Sequence, residues 1–171
     1  MASNTITSYL AWITPTPGDP TYSLLRAHLI FEQLLDTFLK RTLVHPGALT
    51  DARFTFAQKL AISRAVASGI SPSDWTWQAV ARLNKIRNTL AHSLGPKLSR
   101  DLYEYVEYYV KHSGSPMPAG DSRSAPWASA SSSHTSPTYT AADMVTVGLY
   151  IRLASRLGFE VEAFTGPESA A

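Results

Sequence analysis

In five separate stretches of this chain, apolar residues recur three and four positions apart, and Gly or Pro interrupts the sequence between them. That spacing is the period of a helix with one buried face; the alternation of half-buried strands does not occur in convincing pairs. The expected fold class is therefore all-α, an up-and-down bundle of about five helices.

The first 18 residues end in TPTPGDP and read as an irregular arm. Asp19 then suits an N-cap, with Pro20 at the first helical position. From Thr21 to Leu43 the helical spacing is carried by Leu24, Phe31, Leu35 and Phe38, with Leu25 and Leu34 beside them. VHPGALT breaks it. The stretch 51–69 is a second helix, with Gly69 as the expected C-cap. SPSDW follows, with Ser71 as expected N-cap, Pro72 at the first position and Asp74 reaching back. The third helix is expected to run to about Ser93, where Gly95-Pro96 stops it. A fourth covers 97–112, with Leu98, Leu102, Val106, Tyr109 and Val110 on one side. Together, 19–112 form the expected helical core.

Composition changes at residue 113. The stretch 113–140 is Ser, Pro, Ala and Gly with almost no aliphatic side chain, so a flexible, disordered linker is expected. Within 141–171 the pattern resumes as a last helix, expected to pack back through Met144, Val147, Ile151 and Leu157, and then gives way to a polar tail.

A length of 171 residues suits one domain plus a tail. The formal charge of +2 is too small to mark a nucleic-acid surface by itself. Charged residues make up only 16% of the chain, so either a partner covers some of the surface or Ser and Thr supply its polarity. The absence of cysteine excludes disulfides, Cys-ligated zinc and thiol catalysis. The first 20 residues have neither a basic nor an apolar signal-peptide region, and nowhere do about 18 apolar residues run together. A soluble cytoplasmic protein with no membrane association is expected. No Asp, Glu and His set has metal-ligand spacing and no glycine loop suits a phosphate, so neither metal nor cofactor is expected.

The third helix carries the most informative residues. Ala79, Leu83, Ile86, Leu90 and Leu94 form its core stripe. Opposite lie Asn84, Asn88 and His92, at intervals of four, with Arg87 flanking the row on the side away from His92. On spacing alone, a solvated face with a surface His accounts for this pattern. Arg87 and His92 diverge on one helix, so joint action requires a bent helix or a second subunit.

The segment RNTLAH, with Arg87, Asn88 and His92, resembles the R-N-x-x-x-H signature of the HEPN superfamily, all-α domains that carry it near the end of a helix. The order of FEQLL, FAQKLAISRAVASG and LNKIRNTLAH also resembles the HEPN-like and mannitol-repressor-like families over roughly residues 20–112. The resemblance implies a metal-independent endoribonuclease, frequently a toxin or phage-defence effector, whose motif helices meet across a homodimer axis and act on RNA. It implies His92 as the proton-transfer residue, Arg87 as the phosphate clamp and Asn88 as the positioning residue. An antitoxin or regulatory partner belongs to the same picture. Leu94 stands where the branch paired with nucleotidyltransferase antitoxins has a Tyr, so that form of control is not expected. The competing reading is a non-catalytic dimeric regulatory module, as in mannitol-repressor-like relatives.

Supporting candidates are Asn84, Glu32 and Lys59. Glu32 suits an acid-base or structural pair with His28, or an orienting partner for Arg87 across the bundle. Lys59 suits a phosphate cleft, or a snorkelling surface lysine. Tyr103, Tyr105, Tyr108 and Tyr109 suit base stacking or packing, and Trp75 and Trp77 an anchor at the start of the third helix.

Overall fold

A computed structural model describes residues 20–49, 52–92, 96–115 and 141–160. The expected arm (1–18), the cap Asp19, Leu94, most of the expected linker (116–140) and the tail from 161 lie outside these residues. The architecture is an all-α helical bundle. Its helices are α1 (Pro20–Thr42), α2 (Phe56–Val66), α3 (Trp75–His92), α4 (Pro96–Ser113) and α5 (Ala141–Arg156), with a 3-10 turn at Pro46–Leu49 between α1 and α2. Among the described residues no helix is long and apolar enough to cross a membrane.

Helix ends follow local hydrogen bonding more closely than apolar spacing. α2 is shorter than expected because Thr55 begins it: the Thr55 hydroxyl accepts the Gln58 N–H at 3.3 Å, and Gln58 Oε1 accepts the Thr55 N–H at 2.9 Å. It ends at Val66 with an extended Ala67 as C-cap, so Gly69 is not the cap. What Gly69 provides is space. A Cβ there would lie 2.5 Å from the carbonyl oxygen of Arg156, where the loop before α3 meets the end of α5.

Ser71 is likewise not the N-cap of α3. Its carbonyl closes a turn onto the Asp74 N–H, and the helix begins one residue later. Asp74 takes the capping role, its Oδ1 accepting the Thr76 N–H at 2.9 Å and the Thr76 hydroxyl at 2.6 Å. Trp77 anchors this start as expected, buried with its indole N–H donating to the Ser71 carbonyl at 3.0 Å. Arg152 of α5 donates to the Thr76 hydroxyl, reaches Asp74 at 3.5 Å and lies over the Trp75 ring.

Phe56 and Leu60 of α2 border the core, and the other four helices supply its centre. Phe31 and Leu35 of α1, Val80 and Leu83 of α3, Leu102 and Tyr105 of α4, and Leu149, Tyr150 and Leu153 of α5 are fully enclosed. Tyr150 meets Phe31 edge-on at 5.5 Å. Tyr105 is buried, not a free stacking platform; burial lifts its phenol pKa above the ordinary range, and its OH donates to Thr146, whose own proton goes to the Ala142 carbonyl.

On α1, Leu34 is buried and Leu25 is exposed. One expectation about a packing face fails: Met144 and Ile151 of α5 are exposed, while Val145, Leu149, Leu153 and Leu157 pack inward. α5 is apolar on more than one side, so helical spacing is satisfied by either face and does not choose between them.

The end of α5 is clamped. Gly158 adopts a left-handed φ of 75°; Phe159 N–H bonds the Ala154 carbonyl and Gly158 N–H bonds that of Ser155, which is a Schellman closure. Arg41 at the end of α1 donates to the Leu157 and Gly158 carbonyls and lies over the Phe159 ring.

Candidate active site

α3 is held from two sides before its last turns reach solvent. On the α4 side, buried Asp101 accepts from Lys85 Nζ at 2.7 Å and from the Thr89 hydroxyl at 2.8 Å. Burial alone would raise the carboxyl's pKa, but these two hydrogen bonds outweigh it and hold it below the usual range. On the α1 side, His28 Nε2 donates to Asn84 Oδ1 at 3.1 Å, and the imidazole is 4.3 Å from the ring of Phe56 on α2. Asn84 is therefore not a member of a solvent-facing row. It sits four residues after buried Val80, on the flank of the core, where α1 covers it.

Beyond this bond α3 opens. Arg87 and Asn88 are both exposed, and Arg87 Nη1 donates to Asn88 Oδ1 at 3.3 Å. Arg87 follows Val80 by seven residues, close to the same helical meridian, so a line that is core at Val80 is surface at Arg87. No carboxylate pairs with Arg87 among the described residues. His92 is the last residue of α3, and its side chain lies outside the described residues.

Glu32 takes a different partner from either of those its position suggests, His28 or Arg87. It binds Lys59 Nζ at 2.8 Å, and Asp36 binds the same ammonium at 2.9 Å. Burial works against the Lys59 charge, but the two carboxylates outweigh it and lift its pKa above the ordinary range. An ammonium held by two carboxylates has its charge committed to them, whatever cleft Lys59 lines. Nor is His28 a partly exposed partner of Glu32. It is 6% exposed, and its hydrogen bond goes to Asn84. Burial is the largest influence on its pKa and lowers it; the Asn84 bond and Glu32 act the other way, and the charges of Arg87 and Lys59 lower it further. The burial of His28 thus favours its neutral imidazole.

The aromatic candidates divide. Tyr105 and Trp77 are core residues, whereas half-buried Trp75 and Tyr109 meet edge-on at 5.5 Å, and Tyr108 lies 4.1 Å from the His112 ring. The structure thus brings together Arg87 and Asn88 above His28 and Asn84, with the Glu32–Lys59–Asp36 group farther along α1. The His28–Asn84 bond was missed because it joins two helices 56 residues apart. The sequence does contain a partial signal: His28, Glu32, Asp36 and Lys40 recur every four residues, a polar row along α1. Comparison with protein-family models, curated proteins and solved structures finds no match.

Proposed function

We propose that this chain is a cytoplasmic, metal-independent endoribonuclease of the HEPN type, working as a homodimer in toxin or phage-defence systems, with an antitoxin or regulatory protein as a further partner. The observation that supports this most is the pair Arg87 and Asn88, exposed and joined near the end of a helix whose last residue is His92, with no carboxylate on the guanidinium among the described residues. An arginine in water with free donors can hold a phosphodiester bidentately and stabilise the charge that develops on it.

In this reading His92 takes the proton from the ribose 2′-OH, the 2′-oxygen bonds to phosphorus and the bond from phosphorus to the 5′-oxygen breaks. A protonated His92, of the same or a second copy, returns the proton to the departing oxygen. The products are a 2′,3′-cyclic phosphate and a 5′-OH. Asn88 holds the Arg87 guanidinium in place.

Exposed Tyr22, Leu25 and Leu29 on α1 suit a protein contact, which the dimer needs. The same contact favours the second reading, a non-catalytic dimeric module of the mannitol-repressor-like type. Purified protein incubated with mixed RNA in excess EDTA distinguishes them. Cleavage should leave cyclic-phosphate ends and vanish in His92→Ala, while Arg87→Ala loses about 10²–10³ in rate with an unchanged melting temperature. Cleavage that survives His92→Ala removes its assigned role. No cleavage of any RNA leaves the regulatory module.

A further inference from the structure

The polar row on α1 leads away from the exposed pair to a second feature. From His28 to Lys40 is twelve residues, about 18 Å of helix. At the far end, an open cavity of about 360 Å³ lies between α1 and the segment joining it to α2. Leu39, Pro46 and Phe54 give it an apolar wall, and Lys40, Arg53 and Lys59 line it with Asp36.

The three cations in this cavity differ. Lys59 is held by Glu32 and Asp36, which also commits the only acid among the described lining residues. Lys40 and Arg53 are exposed, and among the described residues no carboxylate lies within ion-pair distance of either. Two cations at one recess with no carboxylate partner among the described residues, beside an aromatic ring, suit an anion carrying an apolar or planar group.

We infer that this cavity is a phosphate-binding subsite in which Arg53 and Lys40 hold a phosphoryl group of a nucleotide or of a nucleic-acid strand, and Phe54 lines the space for the attached nucleoside. Only the source of the phosphate rests on the ribonuclease reading. A strand with one phosphate at Arg87 would reach the cavity with another several nucleotides away, so the subsite would favour long substrates over dinucleotides.

The test is binding of a labelled oligodeoxyuridine of about twelve nucleotides, within the range of single-strand sites, which lacks the 2′-OH and so cannot be cleaved by the proposed route. Uridine 5′-monophosphate serves as competitor. The double variant Lys40→Glu/Arg53→Glu changes exposed side chains only, and circular dichroism should confirm that it stays folded; Lys40→Gln/Arg53→Gln is the neutral control. The charge-reversed variant should bind the oligonucleotide about tenfold more weakly, and the slope of log affinity against log salt should fall by about 0.7 for each phosphate that is no longer neutralised. If the mononucleotide competes with wild type and its own binding is lost in both variants, the subsite stands with a free nucleotide as its ligand. Equal affinity of wild type and both variants for both probes overturns the subsite, as does a wild type that binds neither. If RNA is never cleaved but the variants still bind more weakly, the ribonuclease reading has failed and the subsite has not.

Discussion

The two ends of α3 are built on opposite principles. At its start, Asp74, Thr76 and Arg152 satisfy one another and Trp77 donates to the Ser71 carbonyl, so the helix is tied to α5 and to the preceding loop. Toward its end, Arg87 and Asn88 have only each other among the described residues, one turn past a partly buried bond to α1. Polar groups spent inward at one end fix the helix; polar groups left outward at the other are available to a ligand. Substitutions at the first should be read in stability, and at the second in activity.

The largest effect expected lies between the two ends. Leu83 is fully enclosed, and Leu83→Ala should cost about 2–5 kcal/mol of unfolding free energy, measured by urea titration, lowering activity only through the folded fraction. A loss below about 1 kcal/mol would mean that the centre of α3 is not packed as described. The ends themselves come next. Asp74→Ala removes a cap and the partner of Arg152, and should cost about 1–2 kcal/mol, while Asn88→Ala should stay within about 0.5 kcal/mol of wild type. Equal losses at both sites in one thermal-melt series would erase the contrast.

The smallest effect concerns pH. Burial keeps the folded His28 pKa below its unfolded value, so the unfolded chain takes up the proton first. The stability associated with neutral His28 is fully present above the ordinary His range, near pH 6.5, and is lost as pH falls from there through the lowered folded pKa. His28→Gln should flatten this part of the curve of melting temperature against pH. Parallel curves for the two proteins between about pH 7.5 and about pH 5 would show that His28 does not titrate as its burial requires. Asp101, held low by Lys85 and Thr89, acts in a separate window below the usual carboxylate range.

What the sequence makes legible is periodicity. Leu24, Phe31, Leu35 and Phe38 reveal the buried side of α1 by recurring at helical spacing, and Leu83 and Ile86, each between polar residues, do the same for α3. Where apolar residues surround a helix, as in α5, the face is decided by neighbours far away in the chain, and Met144 and Ile151 mislead. Caps mislead by a similar route: Ser71 and Gly69 have the right chemistry, but Asp74 and the approach of Arg156 decide what each does. At the candidate site, the exposure of Arg87 and Asn88 accords with a polar reading of RNTLAH. The diversion of Glu32 to Lys59 and the pairing of Asn84 with His28 depend on how three helices meet, which no local pattern encodes.

The position of α5 has a consequence for biosynthesis. A ribosome makes α1, α2 and α3 first, so Arg87 and Asn88 are translated well before Leu149, Tyr150 and Leu153, which complete the interior those helices share. A nascent chain that stops short of Ala141 therefore carries the candidate site on a scaffold whose apolar centre is still open to water, and such intermediates are prone to aggregate or be degraded. Completion of the last helix thus closes the interior on which the candidate site rests.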